Sequence, residues 1–134
     1  SIFLSFRLRQ ILRSKTFILF LSMAKEEIAM QLTSFLENGK LTILLSGEID
    51  HHRAKELIRE ITMKVEAYNP DLCVLDFGAA SFMDSSGIAV VINALRHMTR
   101  IEGALELDSI AAQPLKVFRA SGIDKLVEIR EVVS

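Results

Sequence analysis

The spacing of apolar residues along the first half of the chain predicts a hairpin followed by a helix. Residues 28–35 partly alternate between apolar and polar positions, residues 37–40 (ENGK) supply turn chemistry, and residues 41–45 are largely apolar. This stretch is therefore predicted to form a β-hairpin. From residue 50 to residue 68 apolar side chains recur every three or four positions among charged ones, which predicts an amphipathic helix that ends before Pro70.

The second half of the chain predicts strands and helices in alternation. Residues 72–77 (LCVLDF) form the short apolar run that is typical of an interior strand covered on both faces. After a predicted loop at 78–84, helical spacing begins at the serines and continues to about Ile101. The remaining predicted elements are a strand at 104–107, a helix with Pro114 in its first turn and Gly122 as its C-terminal cap, and a strand at 126–129.

This order of elements requires crossover connections. It therefore predicts one α/β domain with a small, mixed, mostly parallel sheet, helices packed on that sheet, and N-terminal hairpin strands. A chain of 134 residues, half of them hydrophobic, suits a single core. In such sheets the loops at the carboxyl ends of strands usually carry function, and two of these loops stand out, at 47–52 and 78–87.

Residues 1–22 differ in character from the rest and are predicted to be a basic, apolar extension of a domain at 23–134. They carry a charge of +4 and no acid, whereas the remaining residues carry −5. Three interpretations stay open: a secretory signal, a basic amphipathic helix on a membrane or partner, and upstream sequence before a natural start at Met23. We favour the third, in which the extension is not native, and leave it out of the functional argument.

Charge and cysteine content narrow the classes of function. An acidic domain without a basic stripe lacks the positive surface that nucleic acids need, so we expect no nucleic-acid partner. No apolar run reaches the roughly 18 residues of a membrane span, so no membrane association is expected for the domain. The single cysteine, Cys73, lies in an apolar run and is predicted to be packed rather than reactive, which favours a reducing compartment and a cytoplasmic location.

Two serines, Ser85 and Ser86, lie where a predicted helix begins. A helix N-terminus presents free backbone N–H groups and a partial positive charge, so an anion such as phosphate is stabilised there. Position alone favours an ordinary cap formed by Asp84 and the serines, because Asp and Ser are preferred caps in any protein. The residues themselves do not distinguish between the two serines.

Catalytic and metal chemistry find little support. Residues 84–88 (DSSGI) lack the glycines of the G-x-S-x-G nucleophile elbow. His97 lies deep in a predicted helix, and His51 and His52 have only Asp50 as an orienting partner. Adjacent helical histidines point about 100° apart, and glycine-rich phosphate loops are absent from the sequence. We therefore predict no catalytic residue, no metal, no cofactor and no enzymatic activity.

Three short segments carry a family resemblance: residues 45–52 (LSGEIDHH), 82–88 (FMDSSGI) and 120–123 (ASGI). Together they resemble the STAS domain family, and most closely its anti-sigma factor antagonists of the sporulation type. The resemblance spans about residues 28–129. The combination of the first two segments is highly specific, although either alone would be weak.

This resemblance implies a switch protein of transcription regulation. In such antagonists the unmodified form binds an anti-sigma factor that is also a serine kinase, and so frees the sigma factor. The kinase then phosphorylates the second serine of the D-S-S-G motif, here Ser86, and the antagonist dissociates. A PP2C-type phosphatase restores it. The alternative is a STAS-type module that senses a ligand or serves as a scaffold.

The resemblance and the loop positions together define the candidate site. The phosphorylation site is Ser86, and its immediate surroundings are Asp84, Ser85 and Gly87. The predicted partner-binding residues are Asp50, His51, His52 and Met83. Asp50 is equally well interpreted as the cap of the first helix. A phosphate adds about −1.5 to −2 charge beside an acidic edge, so we expect partner binding to fail while the fold survives.

Overall fold

A computed structural model describes residues 2–32 and 34–132 and divides the chain into two compact units, Ser1–Leu32 and Thr33–Ser134. The first unit contains helices α1 (Ile2–Arg13) and α2 (Lys15–Leu32). The boundary predicted between residues 22 and 23 lies inside α2. Over the described ranges, no helix is both long and apolar enough to cross a membrane.

The second unit is an α/β sheet domain. Its strands lie in the order β1-β2-β3-β4-β5; β1 is antiparallel to β2, and the other neighbours are parallel, which confirms the predicted mixed, mostly parallel sheet. The elements of residues 34–132 are β1 (Ser34–Glu37), β2 (Lys40–Ile49), α3 (His51–Tyr68), β3 (Leu72–Met83), α4 (Ser86–Arg100), β4 (Ala104–Ile110), α5 (Ala112–Ser121), a 3-10 turn (Ile123–Lys125) and β5 (Glu128–Glu131).

The hairpin forms, but its first strand is shorter than predicted. Asn38 and Gly39 have φ values of 51° and 78°, and two successive left-handed residues make the type I′ turn that joins paired strands most tightly. The prediction of a strand at 28–35 was wrong over most of its length, because residues 28–32 belong to α2. The segment IAMQL is rich in good helix formers, and their propensity outweighs a partial alternation.

Helix α3 has its predicted bounds because both of its ends are capped. The Asp50 carboxylate accepts the backbone N–H of Arg53 at 2.9 Å. At the other end Asn69 is left-handed, with φ 45°, and its backbone N–H donates to the Val65 carbonyl. Pro70 follows directly and prevents the helix from continuing.

Strand β3 is central and extends to Met83 rather than Phe77. Residues 73–75 are all buried, as expected for an interior strand. The segment predicted as a loop continues the strand because it pairs with the end of β2, as far as Ile49 opposite Met83. The carboxyl ends of the two strands therefore lie side by side.

The remaining elements agree with the predictions in type and differ at their ends. Helix α4 begins at Ser86, and α5 contains Pro114 in its first turn and ends at Gly122, with φ 82°. Strand β5 begins at Glu128 rather than at residue 126, because the backbone N–H groups of Leu126 and Val127 donate to the Ile123 carbonyl of the 3-10 turn.

The hydrophobic core lies between the sheet and helices α3, α4 and α5. Helix α4 contacts both α3 and α5. The rings of Phe77 on β3 and Phe118 on α5 meet edge to face, with centroids 5.5 Å apart. Cys73 is fully buried, and burial raises the pKa of its thiol to about 12, so it is a packed core residue as predicted.

Candidate functional site

The site is built where β2 and β3 end beside each other. Ile49 and Met83 are paired in parallel register, and the Asp84 backbone N–H donates to the Ile49 carbonyl at 3.2 Å. Each strand leads directly into a helix. Asp50 and Asp84 thus hold equivalent positions on adjacent strands, and the two loops expected to be functional are neighbours.

Asp84 caps helix α4 through its side chain. Its Oδ1 accepts the Ser86 backbone N–H at 2.7 Å, and its carbonyl accepts the Gly87 N–H at 3.1 Å. Ser85 is exposed and Ser86 is half-buried. Among the residues that the structure describes, neither serine hydroxyl makes a hydrogen bond. The expected cap is therefore confirmed for Asp84, and both hydroxyls stay available at the first turn.

Gly87 allows the first turn of α4 to lie directly on Met83. A Cβ at position 87 would collide with the Sδ and Cγ atoms of Met83, and the Met83 side chain has no exposed surface. This burial corrects the prediction that Met83 contacts a partner. Met83 instead supports the start of the helix from the core side.

Phe82 takes the surface position that was predicted for Met83. Its side chain is 44% exposed, and its register partner on β2, Glu48, is exposed too. Successive residues of a strand face opposite sides of the sheet. Since β3 continues to Met83, Phe82 lies on the face opposite to the buried Met83 side chain. Phe82 was not singled out from the sequence, because the apolar run that predicts the strand ends at Phe77.

Asp50 caps α3, and the two histidines follow it on the surface. The hydrogen bond from the Arg53 N–H, opposed in part by burial and helped by the charge of His52, lowers the pKa of Asp50 below its ordinary value of 3.8. The rings of His51 and His52 are both exposed and lie edge to face at 6.1 Å. The cap interpretation of Asp50 is confirmed, and its contact with a partner stays a prediction.

Gln113, in the first turn of α5, holds the end of β3 and was not singled out from the sequence. Its Oε1 accepts the Met83 backbone N–H at 2.9 Å, and its Nε2 donates to the Met83 carbonyl at 2.6 Å. The available signal was weak: one polar residue beside Pro114 at the start of a helix. The contact joins residues far apart in sequence, so local pattern could not identify it.

Neither His97 nor Asp50 is placed as the base or the orienting acid that a nucleophilic serine needs. His97 lies near the opposite end of α4 from the serines, and Asp50 caps a helix rather than orienting a histidine. Across residues 2–32 and 34–132, no three His, Cys, Asp or Glu side chains are grouped to hold a metal ion.

Together, the fold and the site define a small α/β domain that presents a serine at the start of the helix after its central strand. The model of the STAS domain family matches residues 35–134, which is most of the chain. The chain belongs to the STAS domain family, and the resemblance seen in the sequence is confirmed.

Named relatives and solved structures agree with this assignment. An anti-sigma F factor antagonist from Lysinibacillus sphaericus is 29% identical over 83 residues, which cover 62% of this chain and 71% of the relative. The anti-sigma factor antagonist SpoIIAA in its unphosphorylated form is 26% identical with a TM-score of 0.63, over 71% of this chain and 83% of that one. The Bacillus cell fate determinant SpoIIAA in the phosphorylated form is 26% identical with a TM-score of 0.57, over 71% and 86%.

Proposed function

We propose that this chain is an anti-sigma factor antagonist that phosphorylation of Ser86 switches off. The unmodified form binds an anti-sigma factor with serine kinase activity in the cytoplasm and releases a sigma factor, as in the control of sporulation. A PP2C-type phosphatase restores that form, and the antagonist itself catalyses nothing. The observation that carries the proposal is a half-buried serine hydroxyl at the first turn of α4, beside the Asp50 loop.

The geometry around Ser86 tolerates a phosphate within the domain. Phosphorylation adds about −1.5 to −2 charge where the N-terminus of α4 supplies N–H groups and the positive end of its dipole. The core lies behind Met83 and is untouched. The new charge adds to the Asp84 carboxylate at an edge that also carries Asp50, so an acidic or closely packed partner surface is repelled.

The surface that meets the partner combines an aromatic side chain with polar neighbours. We define the partner surface by four exposed or half-buried residues at the carboxyl ends of β2 and β3 and the start of α3: Asp50, His51, His52 and Phe82. A partly exposed Phe beside polar side chains is a typical interface anchor, because it buries a large apolar area when a partner covers it. Met83 is not included, since its side chain is buried.

The experiment that tests this function compares the two serines. We expect Ser86→Ala to abolish phosphate incorporation by the cognate anti-sigma factor kinase and ATP, measured by intact mass, and to leave complex formation intact. Ser85→Ala is the matched control and is expected to accept phosphate normally. Ser86→Asp is expected to weaken the complex.

Three results would contradict the proposal or redirect it. Labelling of the Ser86→Ala variant would remove the site assignment, and unchanged binding by Ser86→Asp would remove the charge mechanism. A stable complex with a nucleotide or a lipid in the absence of any kinase would support the ligand-sensing alternative instead.

A further inference from the structure

We infer that Gln113 is a positioning residue that fixes the Asp84 cap and so presents the Ser86 hydroxyl in one orientation. This inference rests on the proposed function of Ser86 as the phosphate acceptor. The Gln113 amide makes two hydrogen bonds with Met83, one accepted and one donated. Helix α5 thereby contributes to a site that β2, β3 and the start of α4 otherwise build.

Gln113 replaces a missing strand. Strand β4 pairs with β3 only as far as Asp76 opposite Asp108, so in residues 34–132 no register with β4 continues to Met83. A neighbouring strand would satisfy the N–H and carbonyl that a β3 residue directs to that side. The Gln113 amide does so at 2.9 and 2.6 Å, with its acceptor on the N–H and its donor on the carbonyl.

The end of β3 is therefore held from both sides. On one side Gln113 binds the backbone of Met83, and on the other the Asp84 N–H donates to the Ile49 carbonyl of β2 at 3.2 Å. The Asp84 carboxylate then accepts the Ser86 N–H at 2.7 Å. Release of the Gln113 side allows Met83 and Asp84 to move, and the serine moves with its cap.

An amide is the chemistry that this position needs. At neutral pH only Asn and Gln carry an acceptor and a donor side by side in one planar group, and Asn is one methylene shorter. Gln113 does not cap its own helix, since Ala111 stands at the N-cap of α5 and the side chain is directed to Met83. A carboxylate would instead set an oxygen against the Met83 carbonyl.

The test uses the full chain with Gln113→Met, which removes both hydrogen bonds and nearly keeps the volume. Thr62→Val is the matched control, because it removes a half-buried bond between helices, from Thr62 Oγ1 to Asn93 Oδ1 at 3.2 Å, away from the site. Amide hydrogen exchange of Met83 and Ser86 is measured by NMR, global stability by urea unfolding, and phosphate transfer with the cognate kinase and ATP.

We expect Gln113→Met to speed exchange of the Met83 and Ser86 amides about tenfold beyond any change in global stability. With this variant as its substrate, the kinase should show a kcat about tenfold lower and little change in KM. Thr62→Val lowers global stability through its lost hydrogen bond, but it leaves exchange beyond that change, kcat and KM near wild type. In Gln113→Glu we expect exchange faster than in wild type at neutral pH. At acid pH the ratio to wild type measured at the same pH falls, because protonation of the introduced carboxyl restores a donor.

Two results overturn the inference. One is exchange at Ser86 that changes only as much as global stability does, which would make Gln113 merely structural. The other is unchanged phosphate transfer despite faster exchange, which would show that the Gln113–Met83 hydrogen bonds do not affect Ser86 as a phosphate acceptor. If the wild-type chain takes no phosphate, the proposed function fails, and the exchange data alone then decide whether Gln113 positions Ser86.

Discussion

Gly87 is a residue where packing requires glycine. Its missing Cβ leaves room for the Sδ and Cγ atoms of Met83. We expect Gly87→Ala to lower the free energy of unfolding by about 1–3 kcal/mol, because the buried Met83 side chain has to leave its rotamer. Urea unfolding measures this change. The double variant Gly87→Ala/Met83→Ala should lose less than the sum of its two single variants, and strict additivity would contradict the collision.

Asp50 makes stability depend on pH in a defined direction. The Arg53 N–H bond lowers the pKa of Asp50 in the folded chain below 3.8, its value without such a bond. The contribution of the carboxylate is present above pH 3.8 and is lost as pH falls through the lowered pKa. We expect Asp50→Asn, which keeps an acceptor oxygen, to be less stable than wild type at pH 7 and equally stable at the acid end. A stability difference that grows towards low pH would contradict this assignment.

Individual site residues were predictable where their role is local. Asp50 lies three residues before the N–H that it accepts, and the pair Ser85 and Ser86 lies at the start of a strongly periodic helix. The choice of Ser86 over Ser85 came from the family resemblance. Met83 was expected to contact a partner but is buried, and exposed Phe82 was not singled out, because the predicted strand ended before both residues. Gln113 depends on the tertiary fold, since α5 must first lie against the end of β3.

At the scale of the element, Gly122 shows a different requirement for glycine. It ends α5 in the left-handed region at φ 82°, and apart from its chain neighbours no atom of the described residues lies within 4 Å of the position of a Cβ. The cost of Gly122→Ala is therefore backbone strain alone, about 1 kcal/mol by urea unfolding. Gly122→Asn should cost less, because Asn tolerates this conformation better.

The same variants separate the two ends of α5. Gly122 lies at its C-terminus, whereas Gln113 contacts Met83 from the first turn. Gly122→Ala should leave the exchange rate of the Ser86 amide unchanged once global stability is taken into account. A specific acceleration at Ser86 would indicate that both ends of the helix control the site.

The helices and strands were predictable where nearby residues, such as caps and a periodic apolar stripe, determine their ends. Helix α3 has a regular apolar stripe and two caps, and its bounds were predicted correctly. The ends of β3 and β5 were wrong because pairing with a neighbouring strand, rather than local composition, determines where a strand stops. The strand predicted at residues 28–32 was wrong, because the helix propensity of these residues outweighs their weak alternation of apolar and polar positions.

At the scale of the whole molecule, the fold of the sheet domain and the residues of the proposed switch all lie in the second unit. Its buried core residues run from Leu41 to Val127, and the sheet pairs only strands within Ser34–Glu131. The same unit carries Asp84 with its bond to the Ser86 N–H, Gln113 with its two bonds to Met83, and the proposed partner surface. The family model also begins inside it, at residue 35.

We therefore expect a chain of residues 34–134 to unfold cooperatively in urea and to accept phosphate on Ser86 at the rate of the full chain. The reason is that the paired strands, the core and the site all lie beyond residue 33. Removal of the residues before 34 therefore breaks no hydrogen bond between the described strands. Circular dichroism and intact mass measure the two properties. The Gly87→Ala variant of the shortened chain is the control, because it should lose the same unfolding free energy as in the full chain. A non-cooperative transition, or phosphate uptake that requires residues 1–32, would mean that the first unit completes the domain or contributes to recognition by the kinase.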